Sequence, residues 1–247
     1  MIFQDTALLL CAAFVAGALN AVAGGGSFLT LPALVFTGVP AVSANATGTL
    51  ALLPGYLSGA WALRHDTGPP PGISSCQLVL VCLLGGSAGA ALLLLTPDTM
   101  FRRIVPWLLL LATLLFALGP RLLQARQSQA AHPLATVGGL FAVTAYGGYF
   151  NGGLGILLLA LFGLLGQTNL HAMNGLKNQV SALLTVIAAA IYIGGGLIAW
   201  REATIMMGAA LLGGYAGARW ARRIPTAWLR AGIVLTGLVM SALFFTR

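Results

Sequence analysis

Apolar runs of membrane-crossing length recur from end to end of this chain, at 78–95, 105–118 and 203–218 among others. A helix needs ~20 mostly apolar residues to cross a bilayer, and about 17 suffice. The 247 residues are 59% hydrophobic and only 6% charged, with a mean hydropathy of +0.95. Soluble domains carry roughly 25% charged residues, so this inventory cannot build a surface that faces water. A membrane β-barrel would show alternating segments of ~10 residues, and the chain has none. The fold class that follows is all-α: a polytopic membrane protein whose surroundings are the lipid bilayer.

Charge supports the same class. Twelve Lys+Arg against four Asp+Glu give a net charge of +8. Arg64, Arg102, Arg103, Arg121, Arg126, Arg201, Arg222 and Arg223 flank apolar runs, where basic residues set orientation. No basic stripe interleaved with aromatics is present, so nucleic acid is not an expected partner. Trp61, Trp107, Trp200, Trp220 and Trp228 stand near span ends as interfacial anchors. The first residues hold Asp5 and no Lys or Arg, unlike a signal peptide, so the first run is expected to remain as a span. Cys11, Cys76 and Cys82 lack CxxC spacing, and His65, His132 and His171 lie far apart. No metal or cofactor is expected. Self-association into a homo-oligomer is left open.

The chain resembles itself at an offset of 128. Gly24-Gly25 matches Gly152-Gly153, LLGGSAGA at 83–90 matches LLGGYAGA at 211–218, and Ala44, Pro97 and Arg102 match Ala172, Pro225 and Arg230. Two repeats follow, 1–125 and 133–247, joined by the polar stretch 121–133. Each has about four spans: 6–22, 44–63, 78–95 and 105–118 in the first, and 134–149, 172–193, 203–218 and 229–245 in the second. GGSAGA and GGYAGA read as close helix contacts, since small residues let membrane helices approach.

Between the first two spans of each repeat lies a short apolar piece, 28–36 and 156–165, preceded by a Gly-rich break. The breaks are Gly24, Gly25, Gly26 and Ser27 in one half, and Asn151, Gly152, Gly153 and Gly155 in the other. The pieces are too short for a full helical crossing at 1.5 Å per residue. If they extend a span or re-enter, the repeats are parallel; if they cross, the repeats are inverted. Eight full spans with two re-entrant or broken pieces is the favoured reading. Unwound backbone at membrane depth is tolerated where it lines a cavity. A half-helix starting there aims free N–H groups and a positive dipole end at an anion, and paired interrupted helices point to a transport site.

Side-chain chemistry points the same way. Asp5, Asp66, Asp98 and Glu202 all lie at span ends or in loops, so no mid-span carboxylate stands ready for cation coupling. Asn174, Lys177 and Asn178 are spaced i, i+3, i+4 on one helical face, a cation flanked by two amides. Snorkelling of Lys177 to the interface is the competing reading. The counterpart stretch supplies Asn45, Thr47 and Thr49, with Thr49 at the position equivalent to Lys177. His171 reads as a helix-end residue at the interface. No phosphate-binding loop or nucleophile–base set is present, so the chain is not expected to be an enzyme.

NAVAGGGSFLTLPAL at 20–34, followed by GVPAVSANATGT at 38–49, resembles the first-repeat signature of the sulfite exporter TauE/SafE family. YGGYFNGGLGILLLALFGLLGQTNLHAMNGLKN at 146–178 resembles its second-repeat signature. The halves are not equal: Pro32 is met by Ala160, and Gly26-Ser27 by Leu154-Gly155. The resemblance implies a multi-pass permease of the cell inner membrane for a small anion such as sulfite, a sulfonate or a related sulfur oxyanion, working by alternating access. An anion channel and an uptake permease for a non-sulfur organic anion remain the alternatives.

Overall fold

The structure, a computed structural model, describes residues 2–22, 24–64, 67–70, 72–124, 133–167, 169–220 and 226–245. His65, Asp66, Arg126, His132, Arg222, Arg223 and Pro225 lie outside the described residues, as do the side chains of Arg121, His171, Trp220, Trp228 and Arg230. The described elements are all helices: α1 (Ile2–Val22), α2 (Ser27–Phe36), α3 (Ala41–Ala62), α4 (Ser75–Leu95), α5 (Asp98–Gln124), α6 (Pro133–Tyr149), α7 (Leu154–Leu164), α8 (Leu170–Gly194), α9 (Trp200–Trp220) and α10 (Thr226–Phe245). Gln4–Ala21, Ser75–Leu95 and Ala172–Gly194 are each long and apolar enough to cross a bilayer. α2 and α7, with 10 and 11 residues, are the two short pieces expected from the sequence.

Local chemistry sets the ends. Ser74 and Gln77 form a reciprocal capping box at the start of α4, which satisfies two N–H groups left free by the first turn. Asp98 opens α5 and accepts from the Val42 N–H at 2.9 Å, tying the first turn of α3 to it. Its other oxygen accepts from Arg102 Nε at 2.8 Å. The two short helices stop in the same way. Gly38 and Gly166 are left-handed, with φ of +92° and +87°. The following N–H reaches back five residues, Val39 to Leu34 O and Gln167 to Phe162 O, each at 3.0 Å. This closure needs a residue free of the Cβ penalty at positive φ.

Helix directions follow from contacts. Gly59 of α3 lies against Asn178 of α8, and Leu63 against Gly175, so these helices are antiparallel. Thr113 meets Gly237 and Trp107 meets Phe245, so α5 and α10 are antiparallel too. α1 runs parallel to α9, and α4 parallel to α6. Phe14 meets Gly213 and Ala18 meets Gly217 in the first pair; Phe141 meets Gly85 and Ala145 meets Gly89 in the second. The short helices turn back along their predecessors. Gly26 of α2 lies against Ala16, and Phe36 shares an apolar groove with Leu8 and Ala12. Leu154 of α7 lies against Gly147, and Leu161 against Gly139.

A 10-residue helix rises ~15 Å, about half a bilayer core. α2 and α7 therefore return the chain through part of the layer, and the breaks supply the remaining depth. Helices at corresponding places in the 128-residue offset, α3 with α8 and α5 with α10, accordingly point in opposite directions.

Small residues make the tightest crossings. A Cβ on Gly89 would collide with Ala145 O and Tyr149 N, and one on Gly213 with Phe14 O. Gly85, Gly89, Gly213 and Gly217 are four of the six glycines of GGSAGA and GGYAGA, so both motifs serve backbone approach. Trp61 and Trp200 are exposed near helix ends, and Trp107 is exposed inside α5.

Gly89→Leu should lower the thermal midpoint in detergent by about 5 °C or more, since overpacking costs ~1–3 kcal/mol and each kcal/mol moves a chain of this size by ~2–4 °C. Gly208→Leu, whose Cβ meets nothing within 4 Å, should stay within about 2 °C of wild type.

Candidate functional site

The two Gly-rich breaks meet. A Cβ on Gly24 would stand 2.9 Å from Gly155 Cα, and one on Gly155 would stand 3.1 Å from Gly24 Cα. No side chain fits between them. Gly24, Gly25 and Gly153 take φ of +76°, +106° and +74°, a region that penalises residues with a Cβ. The breaks thus bring the N-termini of α2 and α7 together from opposite directions. The first N–H groups of a helix have no partner inside it. Here most are taken up by the breaks themselves, Phe28 N by Gly25 O, Leu29 N by Gly26 O, Leu154 N by Asn151 O and Ile156 N by Gly153 O. The two ends thus face the same region chiefly as positive dipole ends.

Lys177 of α8 passes beside this junction. Its side chain is 0% exposed, and a Cβ on Gly155 would sit 3.2 Å from its Cδ. Its Nζ donates to Asn20 O at 3.4 Å. It is the only charged side chain among the described residues that is buried. The snorkelling alternative is not what the geometry shows, because the amine turns inward to α1.

Neutral polar groups surround the junction. Asn151 is buried; its Oδ1 accepts from Tyr56 OH at 3.2 Å, and its Nδ2 has no partner. Ser27 Oγ, Asn20 Oδ1 and Ser181 Oγ are buried without partners as well. Buried polar atoms are nearly always hydrogen-bonded in native proteins. Several such orphans lie on the elements that meet at the junction. Tyr146 OH donates to Gly152 O at 2.7 Å and fixes the second break.

The other sequence candidates lie elsewhere. Asn45 Nδ2 donates to Tyr149 O at 2.9 Å, and Thr47 Oγ1 accepts from Ala199 N at 3.0 Å. Both hold helices together near the start of α3. Thr49 is buried in α3. Asn178 lies over Gly59 rather than beside the Lys177 amine, and Asn174 is half-buried with Oδ1 unpartnered. Asn20, Tyr56 and Ser181 were not singled out from the sequence. Asn20 stands just before the first break, and Ser181 is one turn beyond Lys177, so spacing alone could have pointed to both.

A cavity of about 330 Å³ reaches the site from the end where α3 finishes and α8 starts. Asn20, Ser58, Gly59, Asn178 and Tyr215 line it. No group of three His, Cys, Asp or Glu side chains stands together among the described residues.

The profile of the sulfite exporter TauE/SafE family matches residues 9–244. The chain belongs to that family. It is 30% identical over 245 residues to a "Probable membrane transporter protein" of Haemophilus influenzae, covering 96% of this chain and 92% of the relative. It is 26% identical over 247 residues to "Probable membrane transporter protein ORF9" of a Sinorhizobium species, covering 97% and 92%. It is 27% identical over 239 residues to "Probable membrane transporter protein YfcA" of Escherichia coli K12, covering 95% and 87%. A membrane transporter of the TauE/SafE family thus carries, where two broken helices meet, the one charged side chain that is buried among the described residues.

Gly155→Ala would push the two breaks apart and press on the Lys177 stem. Substrate flux, normalised to protein in the membrane, should fall about tenfold or more, the equivalent of ~1.4 kcal/mol. Wild-type flux in that variant would remove the junction from the transport route.

Proposed function

We propose that this transporter is a permease for a small anion, of the sulfur-oxyanion or sulfonate class, working in the inner (cytoplasmic) membrane by alternating access. The observation that carries the proposal is Lys177, fully buried and beside the meeting point of the two Gly-rich breaks. An ammonium supplies charge and three donors. The α2 and α7 ends add the positive ends of two helix dipoles. Asn151 Nδ2 and Ser27 Oγ add unpartnered donors. The ammonium and the two dipole ends favour an anion and repel a bare metal cation. The family's description as sulfite exporters supports the sulfur-containing class.

The halves 1–125 and 133–247 act as inverted repeats in this reading. Rocking one against the other would expose the junction to each face in turn. At present the cavity ending on Asn20 and Asn178 lies at one face. Among the described residues, Arg64, Arg121, Arg219 and Arg230 fall at or near helix ends on that face, and Arg102, Arg103 and Arg201 on the other. Cytoplasmic loops carry the excess of Lys and Arg, so the cavity opens to the cytoplasm.

Flux into proteoliposomes over sulfite, thiosulfate, sulfoacetate, sulfate and acetate tests the reading. Saturation separates a carrier from a channel. Lys177→Met should raise half-saturation at least about tenfold, because a lost charge-assisted hydrogen bond costs ~1.5–3 kcal/mol. Lys177→Arg should keep part of the affinity, since charge survives and geometry changes. A Met variant within about twofold of wild type, with equal protein in the membrane, overturns the assignment of Lys177. The amide variants of Asp5, Asp98 and Glu202 should each retain flux, as these acids stand at helix starts. Complete loss in one correctly inserted variant would make a carboxylate essential.

A further inference from the structure

We infer that the protein is an exchanger of monoanions: the site changes sides readily when a singly charged anion neutralises Lys177, and only slowly when empty. The inference rests on the reading of Lys177 as the anion's partner. It goes further by fixing the charge of the cargo and the coupling of the cycle.

The argument starts from charge balance. Among the described residues, Lys177 is the only buried charged side chain and no carboxylate is buried with it. The helices packed on α8 are α3, α4, α6 and α7. Their titratable groups are Tyr56 on α3, Cys76 and Cys82 on α4, and Tyr146 and Tyr149 on α6. The hydroxyls of Tyr56 and Tyr146 are donated to Asn151 and Gly152. α8 itself adds His171 at its first turn and Tyr192, which donates to Gly148 O. The acids are remote. Asp5 is in the first turn of α1, Glu202 in the first turn of α9, and Asp98 is committed to Val42 N and Arg102. Asp66 lies outside the described residues. The ammonium's one described acceptor is a neutral carbonyl at 3.4 Å.

An unpaired charge withdrawn from water is costly, and a well-paired one much less so. Alternating access requires a moment when the site is closed to both faces. Empty, the site would then hold one uncompensated positive charge in a low dielectric. Loaded with a monoanion, it is neutral, and the orphaned Asn151 Nδ2 and Ser27 Oγ gain a partner. Loaded with a dianion, it is again unbalanced by one unit. The closed state is therefore reached most easily with a monoanion aboard, and net movement is limited by the return of the empty site. The class is small oxyanions of single charge: hydrogen sulfite, an alkanesulfonate or a carboxylate.

The experiment uses the purified full-length protein in proteoliposomes at pH 6. The probe is the first of labelled sulfite, methanesulfonate or acetate that the wild type carries. Influx is compared between vesicles preloaded with the same unlabelled anion and vesicles holding only gluconate, with an internal pH dye present. Influx at least tenfold faster into the preloaded vesicles is expected, with no proton movement in step with the anion. Lys177→Arg should keep this stimulation. Lys177→Gln should lose it, because an empty neutral site returns unhindered.

Equal rates within twofold in the wild type overturn the inference. So does net influx as fast as exchange with one proton per anion, which would make Lys177 a proton carrier. A wild type that carries no monoanion under any gradient overturns it as well. Failure of the site reading looks different: half-saturation in Lys177→Met is then unchanged whatever the exchange ratio.

Discussion

The structure depends on one constraint: backbone polar groups at membrane depth must find partners, and interrupted helices leave some without. An uninterrupted helix satisfies itself and binds nothing along its axis. Stopping α1 at Val22 and restarting the chain at Ser27 creates a helix end inside the layer. Repeating the device at 150–153 creates a second. The two can meet only because Gly24 and Gly155 bring no side chains. Crossing direction follows from the same device, since each short helix returns the chain and reverses every later helix of its half. A single type of local defect thus sets both the site and the opposed orientation of α3 and α8.

The two halves share this plan and differ where access is concerned. Gly59 and Ile187 occupy corresponding positions. Gly59 leaves space that the Asn178 amide occupies at the edge of the cavity. Ile187 instead packs on Gly86, 3.0 Å from where a Cβ would stand. Toward that second face, Tyr192 donates to Gly148 O, Asn45 to Tyr149 O, and Ala199 N to Thr47. The counterparts of Tyr192 and Gly148 are Arg64 and Asn20. Arg64 instead donates to Trp61 O at 2.8 Å and stacks on the Trp61 ring. One face is stitched by hydrogen bonds between helices, while the other keeps glycine and a cavity. Asn45 and Thr47 therefore bear on access at a distance from Lys177.

Much of the plan was legible in the sequence because it is written in residue types with few alternative uses. Hydropathy gave the helices, the 128-residue offset their correspondence, and the Gly-rich breaks the short pieces. Lys177 stood out as the only lysine in the chain. Direction was not legible. Whether 28–36 runs back along α1 depends on Gly26 docking at Ala16, a contact between two small residues that leaves no pattern. The neighbours of Asn178 were not legible either. Positions i and i+1 on a helix lie ~100° apart. Lys177 and Asn178 therefore address different neighbours even though both are buried. Tyr56 was invisible because its role is defined by Asn151, 95 residues away.

No carboxylate is buried among the described residues, which in the proposed reading leaves Lys177 to set the sign of the centre. Uncharged membrane pockets can be built from Asn, Ser and Tyr, as the surroundings of this junction are. Such groups offer donors and acceptors alike and so choose poorly between ions. Tyr56 alters that balance by occupying Asn151 Oδ1, leaving the amide's donors free. The Asn20 carbonyl, the one described acceptor beside Lys177, is itself engaged by the ammonium. The two helix ends contribute positive dipole ends. Asn20 Oδ1 remains an unpartnered acceptor and Asn151 Nδ2 an unpartnered donor, so groups of both kinds are left over near the junction. In the proposed reading, the one fixed positive charge of Lys177, buried beside the two breaks, is what favours an anion there.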